Sequence, residues 1–247
     1  LVLRGGERLP YDHLVLATGA RNRLPPVQGL DPARVLELRT LAHARALTAK
    51  LPDLRHVAIV GGGFIGLEVA ALLRQRDIAV DVLEAADRLM GRVLSPAMSE
   101  AFLAFHREMG TGLRLNTLAA EIAPRGGGFS LTLSDGETLD TDAVVIAAGV
   151  APNVELAASA GLAVDNGVVV DARLLTSDPA ISAIGDCAAH PNPYGGDGLI
   201  RLESVQNAVD QGKCVAARLT GNAQDYDALP WFWSHQGAIK LQIAGLS

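Results

Sequence analysis

Apolar and polar positions follow two distinct periods along this chain. His56–Val60 (HVAIV) is a short apolar run, which predicts a buried strand. Gly61, Gly62 and Gly63 follow it. From Phe64 the period becomes helical, with Ile65, Val69, Leu72 and Leu73 predicted on one apolar face. Residues 78–83 (IAVDVL) read as the next strand and end at Glu84. Residues 168–170 and 181–184 read as short strands, with a turn at Thr176, Ser177, Asp178 and Pro179 between them. Residues 202–219 have helical spacing, with Val205, Ala208, Val209, Gly212, Val215, Ala216 and Leu219 on one face. That helix starts near Glu203 and Ser204, and Gly221 stands just past its end, where a C′ residue belongs. Ile239, Leu241 and Ile243 alternate with Lys240 and Gln242 as a last strand.

The pattern also repeats. Residues 1–19 (LVLRGGERLPYDHLVLATG) and 131–149 (LTLSDGETLDTDAVVIAAG) align without a gap at an offset of 130. Leu1, Leu3, Gly6, Glu7, Leu9, Asp12, Val15, Ala17 and Gly19 match their counterparts, with the turn glycines in register. Each copy predicts a strand, a glycine turn, a second strand and a buried strand that ends at glycine, as expected of a duplicated unit. The second copy is preceded by the glycine loop at Gly61, whereas the first begins at Leu1 with no such loop ahead of it. The expectation is therefore a fragment that starts inside a first nucleotide-binding unit.

Composition narrows the class. The chain has 247 residues, 49% hydrophobic and 19% charged, with a formal net charge of -6, which excludes disorder. Mean hydropathy is +0.24, yet uncharged stretches reach only about a dozen residues, short of the ~20 needed for a spanning helix. A pI near 5.5 argues against nucleic acid as a partner. Cys187 and Cys214, the two cysteines, form neither a disulfide framework nor a metal-ligand spacing, and both are expected to be structural thiols in a reducing cytoplasm.

The candidate chemistry centres on Gly61, Gly63 and Gly66. A strand, a G-x-G-x-x-G run, a helix and an acidic residue about 20 positions on form a dinucleotide-binding pattern. Gly61 permits the tight turn, Gly63 lets backbone approach a pyrophosphate, and Gly66 brings helix and strand together. The helix start offers free N–H groups and a positive dipole end to phosphate. Glu84 can accept from ribose hydroxyls and would repel a 2′-phosphate, favouring NADH, although Arg88 and Arg92 stand close by in sequence. Ala148 and Gly149 end a buried strand where a cofactor can lie across the sheet. Asp186 follows another strand end, placed either to bind polyol hydroxyls or to cap a helix. The helix after Ser204 either points its N-terminus at a flavin or simply covers a sheet. Trp231, Phe232 and Trp233 concentrate aromatic residues in a chain poor in them, for a flat cofactor or for domain packing.

The segments DHLVLATGA, VAIVGGGFIGLEVA, VVIAAGVAPN, ISAIGDCA, RLESVQNAVDQGK and PWFWSHQ resemble the FAD-dependent pyridine nucleotide reductases. The last two are similar to the ferredoxin and rubredoxin reductase branch, which serves dioxygenase and cytochrome P450 systems. The resemblance implies an α/β fold with two Rossmann-like nucleotide-binding domains and the start of an α+β C-terminal interface domain. Residues 1–22 would end the first part of the FAD domain, 23–147 form the NADH domain, 148–226 the second part of the FAD domain, and 227–247 the interface domain. The FAD residues implied are Thr18, Gly19, Ala20, Arg21, Gly185, Asp186, Glu203, Ser204, Val205 and Trp233. The NAD residues implied are Gly61, Gly63, Phe64, Ile65, Gly66, Glu68, Glu84, Arg92, Ala148 and Gly149, with Glu68 close to the nicotinamide. His235 stands where the family usually has Asp and is expected to face solvent. The implied activity is hydride transfer from NADH to FAD, then single-electron transfer to an iron–sulfur ferredoxin or rubredoxin, with no side-chain nucleophile. Disulfide or peroxide reductases and NADH-sensing flavoproteins like apoptosis-inducing factor share the layout.

Overall fold

The computed structural model describes residues 1–246 and has a mixed α/β fold. The chain forms two compact units. An inserted unit holds Asn22–Ala151 and Trp233–Leu241, and a flanking unit holds Leu1–Arg21, Pro152–Phe232 and Gln242–Leu246. Among the described residues no helix is long and apolar enough to cross a membrane.

The inserted unit is built on a five-stranded parallel sheet, in the order Leu36–Glu37, Ala143–Ile146, His56–Val60, Ala79–Leu83, Gly112–Arg114. Its central strands are apolar apart from His56 and Asp81, because both faces are covered. Val57, Ile59, Val80, Val82 and Val145 pack with Val69, Ala70 and Leu73 of the helix Phe64–Arg74. Ala58, Val60, Val144 and Ile146 turn the other way, onto Ile122, Leu131 and Leu133 of a three-stranded antiparallel sheet. That sheet comprises Ala119–Arg125, Gly128–Leu133 and Thr138–Thr141.

The helix Phe64–Arg74 buries Val69 and Leu73 as its spacing predicted, but not Ile65 and Leu72. Gly66, Leu67, Val69, Ala70, Ala71 and Leu73 are buried, whereas Ile65 and Leu72 are exposed. An almost wholly apolar helix has no distinct stripe, so tertiary contacts choose the buried side.

In the flanking unit Leu14–Leu16 pairs in parallel with Ile181–Ala183. A four-stranded sheet runs in the order Val164–Asp165, Gly167–Val169, Ala188–Pro191, Leu199–Ile200. The helix Val205–Leu219 joins their core through Val215, and Gly221 lies past its end at φ +91°. Here the predicted apolar face is corrected: Val205, Val209 and Leu219 are exposed, and Asn207, Gln211 and Val215 are buried. The polar pair is buried because each finds a partner. Tyr226 Oη donates to Asn207 Oδ1 at 3.1 Å, and Gly185 N donates to Gln211 Oε1 at 2.6 Å.

The repeat recurs as hydrogen bonds. Leu3 N donates to Glu7 O at 2.8 Å, and Leu133 N to Glu137 O at 2.8 Å; Gly6 and Gly136 have φ of +86° and +88°. The first copy forms only the bridge Val2–Arg8 where the second has full strands. Asn153 N donates to Gly19 O at 2.9 Å and, at the same offset, Arg23 N donates to Gly149 O at 2.9 Å.

At the strand start His56 has an acceptor on each ring nitrogen: Asp81 Oδ2 at 2.8 Å from Nε2 and Asp140 O at 3.0 Å from Nδ1. Only the imidazolium donates to both. The hydrogen bond to Asp81 raises the His56 pKa against the opposing effect of burial, and His56 in turn lowers that of Asp81. A raised folded pKa contributes stability that is full below the unfolded value and lost as pH rises through the folded one. The difference in unfolding free energy between the wild type and His56→Gln, on the order of 1 kcal/mol for a partly exposed pair, is expected to be largest between about pH 4 and 6.5. It shrinks above that window, and also below it as Asp81 protonates. Urea unfolding at a series of pH values checks this, and a pH-independent difference contradicts it.

Candidate functional site

The strand His56–Val60 runs into a turn that only glycine can make. Gly61 has φ +115°, and a Cβ there would lie 2.3 Å from Ala147 O. At Gly66, in the first turn of the helix, a Cβ would lie 2.1 Å from Gly61 O. Helix, turn and neighbouring strand thus approach backbone to backbone. Gly63 is the N-cap of Phe64–Arg74, and no side chain caps it. A Cβ at Gly63 meets nothing within 4 Å, so the space before the helix start is open. A helix start without a side-chain cap, with its positive end, suits a phosphate. The cradle fits a dinucleotide pyrophosphate on these grounds.

Glu84 is fixed beside the loop. Gly62 N donates to its Oε2 at 2.7 Å and Ala86 N to its Oε1 at 2.8 Å. Each oxygen keeps a second lone pair for a hydroxyl donor. Arg88, close to Glu84 in sequence, is occupied within its own loop, donating to Leu94 O at 2.8 Å and Gly91 O at 2.6 Å. Arg92 is exposed, with its Nη2 3.6 Å from the Cβ position of Gly149. Ala148 N lies 3.2 Å from the Cβ position of Gly61. Phe64 and Ile65 open the helix, and Ile65 is exposed. Glu68, half-buried one turn on, accepts from Ser234 Oγ at 2.6 Å and His235 N at 3.3 Å through Oε1. All ten residues of the expected NAD set therefore lie in the inserted unit, around one loop.

The expected FAD set is distributed differently. Nine residues lie in the flanking unit, and Trp233 lies in the inserted one. Thr18 Oγ1 donates to Asn153 O at 2.7 Å, and Arg21 Nη1 to Asn153 Oδ1 at 2.9 Å and Glu155 Oε1 at 2.7 Å. Gly19 and buried Ala20 sit between them, so Asn153 organises this element. Asp186 occupies a 3-10 turn, Gly185–Cys187, and the cap of the long helix is Ser204, whose Oγ accepts from Asn207 N. Arg201 joins the two places: Nη1 donates to Asp186 O at 3.1 Å, and Nη2 pairs with Glu203 Oε1 at 2.6 Å. Val205 is exposed at the helix start, and His235 is exposed as expected.

Both cysteines are free. Cys187 is buried with its thiol on Ile184 O, and burial raises the Cys214 pKa, so Cys214 is no activated nucleophile. Among the described residues no His, Cys, Asp and Glu cluster could hold a metal. The residues that sequence reading missed are Asn153, Arg201, Ser234, Gln236, His106 and Met90. Their signal was weak, because each has at least one partner 15 or more residues away in sequence.

A family model described as pyridine nucleotide-disulphide oxidoreductase matches residues 2–212. Rhodocoxin reductase of Rhodococcus erythropolis is 52% identical over 240 residues, which cover 97% of this chain and 56% of that protein. The ferredoxin reductase for the CYP199A2 system of Rhodopseudomonas palustris matches in structure with a TM-score of 0.95 and 51% identity, covering 99% of this chain and 61% of that one. Putidaredoxin reductase, in a covalent complex with putidaredoxin, matches at 0.94 with 38% identity, covering 100% and 60%. The chain thus spans 56% to 61% of the length of these relatives.

The loop geometry separates two substitutions. Gly66→Ala forces backbone apart and is expected to lower stability by about 1–3 kcal/mol, whereas Gly63→Ala has room and is expected to cost at most about 1 kcal/mol. Thermal unfolding of both variants checks this, and equal losses contradict it.

Proposed function

From the premise that this chain belongs to the pyridine nucleotide-disulphide oxidoreductase family, we propose that it carries the NADH-binding domain and part of the FAD domain of a reductase. That reductase passes electrons from NADH through FAD to a [2Fe-2S] ferredoxin or a rubredoxin. Residues 23–147, within the inserted unit, form the Rossmann-like NADH domain, residues 1–22 and 148–226 belong to the FAD domain, and residues 227–247 begin an α+β interface domain. The observation that carries the reading is the uncapped helix start behind Gly61 and Gly63, with Glu84 set beside it by two backbone amides. The relatives' names, rhodocoxin reductase, ferredoxin reductase and putidaredoxin reductase, support the acceptor class. Free thiols in both cysteines agree with a cytoplasmic setting.

When bound, the flavin supplies hydride acceptance and one-electron release. The protein binds and orients. Helix Phe64–Arg74 directs its N-terminal amides at the pyrophosphate. Glu84 accepts from the adenosine ribose hydroxyls, and its charge opposes a 2′-phosphate. Arg88 is committed to its own loop and leaves that repulsion in place, favouring NADH over NADPH. Gly185, Asp186, Glu203, Ser204 and Val205, together with Thr18 to Arg21, would hold the flavin, and the positive end of the helix Val205–Leu219 would favour negative charge on it.

Two outcomes are expected. NADH-reduced protein, mixed rapidly with an oxidised two-iron ferredoxin, reoxidises its flavin as the ferredoxin is reduced; a long-lived reduced species that ignores ferredoxin contradicts the electron-transfer role and favours a sensor or a thiol-linked reductase. Glu84→Ala narrows the preference for NADH over NADPH by about tenfold, the loss of one charge-assisted hydrogen-bond pair. Steady-state KM values for both nucleotides check it, and an unchanged preference contradicts the role of Glu84.

A further inference from the structure

Strand Trp231–Gln236 turns two polar side chains inward. Ser234 is 1% exposed and Gln236 0%, and such burial is tolerated only when the groups are hydrogen-bonded. Gln236 Nε2 lies 3.0 Å from Ser234 Oγ, and Gln236 Oε1 lies 2.9 Å from Nε2 of the fully buried His106. Ser234 Oγ in turn lies 2.6 Å from Glu68 Oε1.

The direction of these bonds is fixed by chemistry. An ionised carboxylate only accepts, so the Ser234 hydroxyl donates to Glu68 and accepts from Gln236 Nε2. Gln236 Oε1 then faces His106, which must donate from Nε2. Burial lowers the His106 pKa, consistent with a neutral ring carrying its proton on Nε2. His106 Nδ1 has no partner among the described residues, as an acceptor nitrogen can tolerate better than a donor. The relay thus runs one way, from His106 through Gln236 and Ser234 to Glu68.

The same strand grips the other side of the loop. Gln236 Nε2 lies 3.6 Å from Met90 Sδ, and Met90, at a left-handed φ of +51°, donates its N–H to Gly62 O at 3.1 Å. Behind the strand, a Cβ at Gly237 would stand 3.2 Å from Phe105 Cζ, so the hairpin tip is seated against the helix Pro96–Glu108. Among the described residues only Oε1 of Glu68 is engaged, and Oε2 is left one turn in from the phosphate-binding helix start.

We infer that Ser234 and Gln236, backed by His106, are positioning residues that hold Glu68 by Oε1 and present Oε2 to the carboxamide NH2 of the bound pyridine ring. The inference rests on the reading of the inserted unit as the NADH domain. The hairpin that carries the aromatic run thereby sets the geometry of the pyridine end of the nucleotide site.

Binding of NAD⁺, which carries the same carboxamide but does not reduce the flavin, and of ADP-ribose, which lacks the pyridine ring, tests this by calorimetry on the oxidised protein. In Ser234→Ala the NAD⁺ Kd is expected to rise about five- to tenfold, the loss of one hydrogen bond to a charged group. The ADP-ribose Kd stays unchanged, and Ser234→Thr, which keeps the hydroxyl, restores NAD⁺ binding. If the alanine variant does not fold, Ser234→Cys, near-isosteric with a weak donor, gives the same split. Equal weakening of both ligands means a merely structural serine and overturns the inference, as does no weakening of either. Wild-type protein that binds neither ligand contradicts the NADH-domain reading itself, which keeps the two failures apart.

Discussion

At Gly66 the helix backbone passes so close to Gly61 that an added Cβ would lie 2.1 Å from its carbonyl oxygen, and Gly61 meets Ala147 in the same way. This double approach decides where the helix starts relative to the ends of the parallel strands. With the start placed there, the helix reaches the sheet with Val69, Ala70 and Leu73, and its N-terminal amides emerge where the strands end. Glu84, at the end of the neighbouring strand Ala79–Leu83, is then close enough to take Gly62 N at 2.7 Å. Packing and chemistry therefore share one cause. The residues that let the helix dock also leave its end uncapped, and an uncapped end is what an anion binds.

Around this loop, buried polar groups do the fine positioning. Side-chain carboxylates bind best when their orientation does not have to be fixed at the moment of binding, because ordering costs are then already met. Glu84 is oriented by two backbone amides, Glu68 by Ser234 and a backbone N–H, and Arg88 is held away by two carbonyls. In the flanking unit, Arg201 does the same between Asp186 and Glu203, and Asn153 between Thr18 and Arg21. In each unit by itself, then, charged groups are fixed by hydrogen bonds from neighbouring groups of the fold.

The loop and the repeat were legible in the sequence because their signals are local. The strand His56–Val60, the glycines and the acidic Glu84 announce themselves within thirty residues. The ungapped offset of 130 carried through to matching turn bonds at Leu3 and Leu133. Helix faces were less legible. Val205 and Val209 marked the wrong side of Val205–Leu219, since Asn207 and Gln211 are buried with Tyr226 and Gly185, partners 19 and 26 residues away. Ile65 and Leu72 misled for another reason, because a helix with apolar residues on most of its surface leaves the choice of face to its neighbours. The aromatic run drew attention to Trp231 and Trp233, while the inward Ser234 and Gln236 gave no signal without their partners on Glu68 and His106.

The most direct test of the account is a crystal structure of the protein with NAD⁺. The account predicts the pyrophosphate on the N-terminal amides of Phe64–Arg74 before Gly63, both adenosine ribose hydroxyls on Glu84, and the pyridine carboxamide on Glu68. A dinucleotide bound away from the Gly61 loop, or with its adenosine ribose turned from Glu84, would contradict it.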